Sequence, residues 1–117
     1  MSFKIYKENF IDITTITIDA NTKIRFIRDN NNKILPNDRY LFVENILITE
    51  LKLPQITVNM TNAILTINNK SGDGNVITIY SYNGDKIDSE NGVTTQLDYP
   101  FSVTLISSLT EKTWYIL

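Results

Sequence analysis

Turn-forming clusters interrupt this chain at close intervals, which favours short strands over long helices. Asp19-Ala20-Asn21-Thr22, Asp29-Asn30-Asn31-Asn32-Lys33, Pro36-Asn37-Asp38, the run from Asn68 to Asn75, Asn83-Gly84-Asp85, Asp88 to Gly92, Asp98-Tyr99-Pro100 and Ser108 to Lys112 all carry turn residues. Asn and Asp cap their own backbone and tolerate left-handed angles, Gly adopts positive φ freely, and Pro presets a turn. What lies between these breaks is short and rich in β-branched residues. The chain has 18 Ile, 14 Thr and 14 Asn against 2 Ala. Ile and Thr suit a pleated strand, and the best helix former is almost missing.

The pattern predicts an all-β protein, a compact sandwich or barrel-like module of about eight or nine short, mainly antiparallel strands. The clearest alternation before residue 21 runs from Phe10 to Asp19, with a parity switch at Thr14-Thr15 that reads as a bulge or corner. Residues 1–20 are read as an N-terminal arm and first strand, and residues 21–117 as a single β domain. Ile24 and Phe26 face together. Leu41, Asn45, Ile48 and Leu51 have helical spacing between Tyr40 and Lys52, but Ile46-Leu47-Ile48-Thr49 reads equally as strand, which is preferred, and Ile56, Val58 and Met60 alternate as a strand should. Ala63-Ile64-Leu65-Thr66-Ile67 is nearly continuous in apolar character, which predicts cover on both faces. The closing Trp114-Tyr115-Ile116-Leu117 predicts a strand paired into a sheet or held against a neighbour, since unanchored termini fray.

There is no Cys and no His, which excludes disulfides, thiolate nucleophiles, His bases and His metal sites. The net charge of -2 argues against nucleic acid or anionic lipid as a partner. No stretch approaches the roughly 20 apolar residues of a membrane span, and the first nine residues lack a signal-peptide core. These features predict a protein that stays soluble where it is made.

The second half of the chain carries an ordered set of short motifs. Asn69-Lys70-Ser71-Gly72 precedes Val76-Ile77-Thr78-Ile79, then Gly84-Asp85-Lys86-Ile87-Asp88, then Ser102-Val103-Thr104-Leu105-Ile106-Ser107, and Trp114-Tyr115-Ile116-Leu117 ends it. From Leu51-Lys52-Leu53-Pro54 to the C-terminus this is similar to small β-modules of tailed-bacteriophage and other large-virus structural proteins: fibre ends, head fibres and capsid decoration proteins. It departs from them at Leu109 to Thr113, where a Gly- or Asn-rich hairpin is usual, and at Ser89-Glu90-Asn91, which delay Gly92. The resemblance implies a homotrimer in a virion, made in the host cytoplasm. The expected partners are further copies of itself and a major capsid protein, with a host glycan only if the module is a fibre tip. It implies no enzyme activity and no cofactor.

Candidate sites are few. Asp85, Asp88 and Glu90 are close enough in sequence to offer oxygen ligands to a calcium ion, but a structural turn is the preferred reading. Tyr80, Tyr82, Tyr99, Phe101, Trp114 and Tyr115 offer a sugar-binding face or a subunit interface, with core packing preferred for Trp114 and Phe101. Arg25, Arg28 and Arg39 read as a solvated face. The residues assigned to a subunit or capsid interface are Phe3, Ile5, Tyr6 and Phe10 in the arm, and Trp114, Tyr115, Ile116 and Leu117 at the end.

Overall fold

A computed structural model describes residues 24 to 60 and 62 to 117. The arm, its candidate residues Phe3, Ile5, Tyr6 and Phe10, and the expected bulge at Thr14-Thr15 lie outside the described residues. Among the described residues nine strands form two sheets: β1 Ile24–Ile27, β2 Tyr40–Val43, β3 Glu50–Lys52, β4 Ile64–Asn69, β5 Val76–Tyr80, β6 Lys86–Ile87, β7 Thr94–Asp98, β8 Ser102–Ser108 and β9 Thr113–Ile116. One sheet has six strands in the order β1-β2-β4-β8-β9-β6, and the other has three in the order β3-β5-β7. The all-β expectation stands.

The expected antiparallel dominance does not. Of the seven strand pairings among the described residues, β1–β2, β2–β4, β3–β5 and β6–β9 are parallel. The reason is the order in which the chain visits the sheets. It leaves β1, touches the edge of the second sheet through a parallel bridge of Lys33 to Lys52, and returns as β2. It then alternates, β3 in one sheet, β4 in the other, β5 back again. A chain that reverses at each crossing re-enters a sheet in its former direction, so neighbours come out parallel. The antiparallel pairs β4–β8, β5–β7 and β8–β9 close this flattened coil.

Alternation fixes what each strand buries. Leu41 and Val43 of β2, Leu65 and Ile67 of β4, Leu105 of β8 and Trp114 of β9 point inward. They meet Leu51, Ile77, Ile79 and Leu97 from the three-stranded sheet in one apolar cluster. Truncating one such Leu or Ile to Ala costs about 2–5 kcal/mol.

Three local expectations are corrected. Ile46-Leu47 is a turn, because Asn45 Oδ1 accepts from the Leu47 amide at 2.9 Å and competes with strand pairing. Val58–Met60 is a single 3-10 turn that buries Met60, with Ile56 buried just before it. Apolar spacing at i and i+4 serves such a turn as well as it serves a strand. Ile64 of the supposedly covered run is 50 % exposed.

The loops are held by polar side chains that the turn clusters supply. Asp29 Oδ1 accepts from Asn31 N, and Asn31 Oδ1 from Lys33 N. Buried Asp38 accepts from Arg25 at 2.8 Å and from the Leu35 amide at 2.7 Å, tying the β1–β2 connection together. Arg28 pairs with Glu44, and Arg39 donates to the Pro36 and Asp38 carbonyls. The three arginines therefore pin loops more than they line an open basic face.

Candidate assembly face

The residues singled out by the motifs lie mostly inside. Asn69 is fully buried at the end of β4. Its Nδ2 donates to the carbonyls of Asn75 and Leu97, both at 2.9 Å, and its Oδ1 accepts from the Ser71 amide and hydroxyl. The Leu97 contact joins the two sheets, since Asn69 and Leu97 belong to opposite ones. Gly72 follows at a positive φ of 153°, and a Cβ there would sit 2.6 Å from Ile46 Cδ1. This part of the pattern builds the fold.

The same holds for the acidic loop. Asp85 is buried and its Oδ2 accepts from the Ile56 amide at 2.8 Å, while Asp88 and Glu90 are exposed. Asp85 is thus committed to a backbone amide, and no group of three or more acidic side chains positioned for a metal occurs among the described residues. Trp114 is 1 % exposed, in the core as preferred. That burial removes it from any surface, so its assignment to an interface is withdrawn. Its indole Nε1 has no acceptor among the described residues. Phe101, also expected in the core, is instead 64 % exposed beside the β7–β8 turn. Its carbonyl still accepts from the Asn69 amide at 2.9 Å, extending the β4–β8 ladder, while its side chain stays in solvent.

The C-terminal residues are paired, as the sequence requires. Ile106 faces Tyr115, Ser107 faces Trp114, and the Leu117 amide extends the ladder to Thr104 O at 2.9 Å. Tyr115 and Leu117 then fall on the outer face of the six-stranded sheet, opposite Trp114.

That outer face is the surface that stands out. Register places three rows across it. Ile64, Ile106 and Tyr115 form the first row, Ile24, Tyr40, Thr66 and Thr104 the second, and Phe26, Phe42, Asn68 and Ser102 the third. Phe26 and Phe42 stack at 5.2 Å between ring centroids. Thr66 and Thr104 hydroxyls bond each other at 3.0 Å, satisfying two polar groups within the face. No charged residue occurs in the rows. Charge appears at the rim, where the Arg28 guanidinium lies 4.6 Å over the Phe26 ring and bonds Glu44. Phe26 is 46 % exposed and Leu117 71 %.

Ile24, Phe26, Tyr40, Phe42, Ile64 and Ile106 are therefore the candidates that sequence reasoning did not assign. A signal was available in Tyr40-Leu41-Phe42-Val43 and Ala63 to Ile67, which are apolar on both parities. A strand of this kind needs cover on both sides, and the second sheet supplies only one.

A second surface feature lies at the end of the three-stranded sheet. A cleft of about 410 Å³ is lined by Lys52, Leu53, Tyr80, Tyr82, Asn83 and Val93, among others. It brings together Tyr80 and Tyr82, with the Lys52 ammonium 5.2 Å from the Tyr80 ring. Tyr99, Phe101 and Tyr115 do not line it.

Comparison with known protein families gives no match, and no curated protein is significantly similar to the chain in sequence.

Proposed function

We propose that this chain is a viral structural protein, a capsid decoration (auxiliary or cement) protein that associates as a homotrimer and binds the outer surface of a phage head through the major capsid protein. It acts by assembly and not as an enzyme. The observation that carries the reading is the outer face of the six-stranded sheet. Eight large apolar or aromatic side chains, Ile24, Phe26, Tyr40, Phe42, Ile64, Ile106, Tyr115 and Leu117, share it without a charge among them. Contiguous apolar area on the order of several hundred Å² on a soluble chain marks an interaction surface. Copies that meet through this face remove it from water, and a trimer that binds only the assembled lattice stabilises that lattice by mass action.

The test is light scattering on the purified chain, then co-sedimentation with empty capsids. Trimer, bound at fixed stoichiometry, is expected. Phe26→Glu with Ile64→Glu should leave folding intact and abolish association. Monomer in solution together with no capsid binding overturns the reading.

A second reading, a head-fibre or tail-fibre tip that binds a host-surface glycan, draws on the cleft holding Tyr80 and Tyr82. Aromatic faces beside amide and ammonium groups suit a sugar. Glycan-array binding lost in Tyr82→Ala, with capsid binding absent, would favour it over decoration.

A further inference from the structure

The chain contains two Asn-Gly pairs, Asn83-Gly84 and Asn91-Gly92. Identical in sequence, they are held in opposite ways. Asn-Gly is the dipeptide most prone to spontaneous deamidation, because glycine leaves its own nitrogen free to reach the preceding side chain. The reaction needs a reachable Asn Cγ and a Gly amide free of any acceptor.

At the second pair both requirements are blocked. Asn91 Oδ1 accepts from the Val93 amide at 2.9 Å and the Thr94 amide at 2.8 Å, and Nδ2 donates to Thr94 Oγ1 at 2.5 Å. The Gly92 amide donates to the Ser89 carbonyl. At the first pair nothing blocks them. Asn83 and Gly84 are exposed, and neither the Asn83 side chain nor the Gly84 amide has a hydrogen-bond partner among the described residues. They occupy the centre of a turn closed by the Asp85 amide on the Tyr82 carbonyl at 2.8 Å, with Gly84 at φ 98°.

We propose that Asn83 is a site of spontaneous deamidation in the folded protein and that Asn91 is protected. The Gly84 nitrogen gives its proton to solvent base and attacks Asn83 Cγ. The bond from Cγ to the side-chain nitrogen breaks and ammonia leaves. Water then opens the five-membered imide at either carbonyl, giving an aspartyl or an isoaspartyl linkage at position 83. Water is the only co-reactant.

The consequence is local and directional. A new carboxylate arrives on the rim of the cleft lined by Lys52, Tyr80 and Tyr82. The isoaspartyl product also adds a backbone atom to the turn immediately before Asp85, whose carboxylate holds the Ile56 amide in the interior. Ageing at this one turn therefore alters a surface cleft and loosens a buried contact together.

The experiment follows the full chain, kept folded in mildly alkaline buffer, beside a sample unfolded in urea. Trypsin cuts after Lys70, Lys86 and Lys112, so Asn83 and Asn91 fall on separate peptides, 71–86 and 87–112. Fragment spectra assign the amide-to-acid mass change to a residue. Reaction at Asn91 first requires several hydrogen bonds to break, so Asn83 should react on the order of tenfold or more faster in the folded chain. In urea the two should react at similar rates. Asn83→Gln should silence peptide 71–86. An Asn91 that keeps pace with Asn83 in the folded chain, or an inert Asn83, overturns the proposal.

Discussion

Replacing Asn69 with Ala should destabilise the fold more than any other polar substitution on β4. The change strips four hydrogen bonds from a fully buried position: donors are lost to the Asn75 and Leu97 carbonyls, and an acceptor is lost to the Ser71 amide and hydroxyl. At about 1 kcal/mol net for each bond, the loss is about 4 kcal/mol. With a urea m-value near 2 kcal/mol/M for a chain of this size, the unfolding midpoint falls by about 2 M. Asn69→Asp should be at least as damaging, since a carboxylate presents no donor to the two carbonyls and is charged in the interior. The adjacent Asn68 is the internal control. It is half-buried and donates once, to the Leu41 carbonyl at 3.1 Å, so Asn68→Ala should cost about 1 kcal/mol or less. Chemical denaturation followed by Trp114 fluorescence measures all three. An Asn69→Ala protein within about 1 kcal/mol of the parent, or an Asn68→Ala protein equally destabilised, would refute the claim that this asparagine joins the sheets.

Asp85→Ala should lower stability by about 1–3 kcal/mol in the same assay, through the orphaned Ile56 amide, whereas Asp88→Ala at an exposed position should be near neutral. Calcium titration followed by thermal unfolding should leave the midpoint unmoved in both. Trp114→Phe should be milder than Leu105→Ala, about 1–2 kcal/mol against 2–5, because it also removes an indole N–H that has no acceptor among the described residues. Deleting Trp114 to Leu117 removes both β9 and its partner contacts to β8 and β6, so circular dichroism should show an unfolded chain.

The fold was legible wherever the signal is local. Within the described residues turn clusters marked breaks because Asn, Asp and Gly act on their own neighbours, as the Asp29–Asn31–Lys33 chain of side-chain bonds illustrates, although Asn68 and Asn69 extend β4 instead. Strand positions followed from β-branching between those breaks. Sheet order and strand direction were not legible, because parallel neighbours such as Tyr40 and Thr66 are set by where the chain crosses between sheets. Ile56 to Met60 misled for a related reason: a short apolar alternation carries no record of whether its amides find a ladder. Of the candidate site, Tyr115 and Leu117 were among the four C-terminal residues assigned, but Phe26, Phe42, Ile64 and Ile106 come together only once four strands are laid side by side.

This difference explains why the recognisable motifs say little about chemistry. Asn69 and Asp85 each make a buried hydrogen bond between elements distant in sequence, to the Leu97 carbonyl and from the Ile56 amide, and Ile87 and Trp114 lie in the core. A surface that meets partners needs no such spacing. It requires only that one parity of several strands stay apolar. β2, β4 and β8 each serve both ends, with Leu41, Leu65 and Leu105 facing the core and Phe42, Ile64 and Ile106 facing outward. Substitutions one residue apart should therefore separate the two roles. A charge at the inner position should unfold the chain, and a charge at the outer position should leave a folded protein that no longer associates. If both parities behave alike, the outer face is simply more core, and the assignment of this sheet to assembly fails.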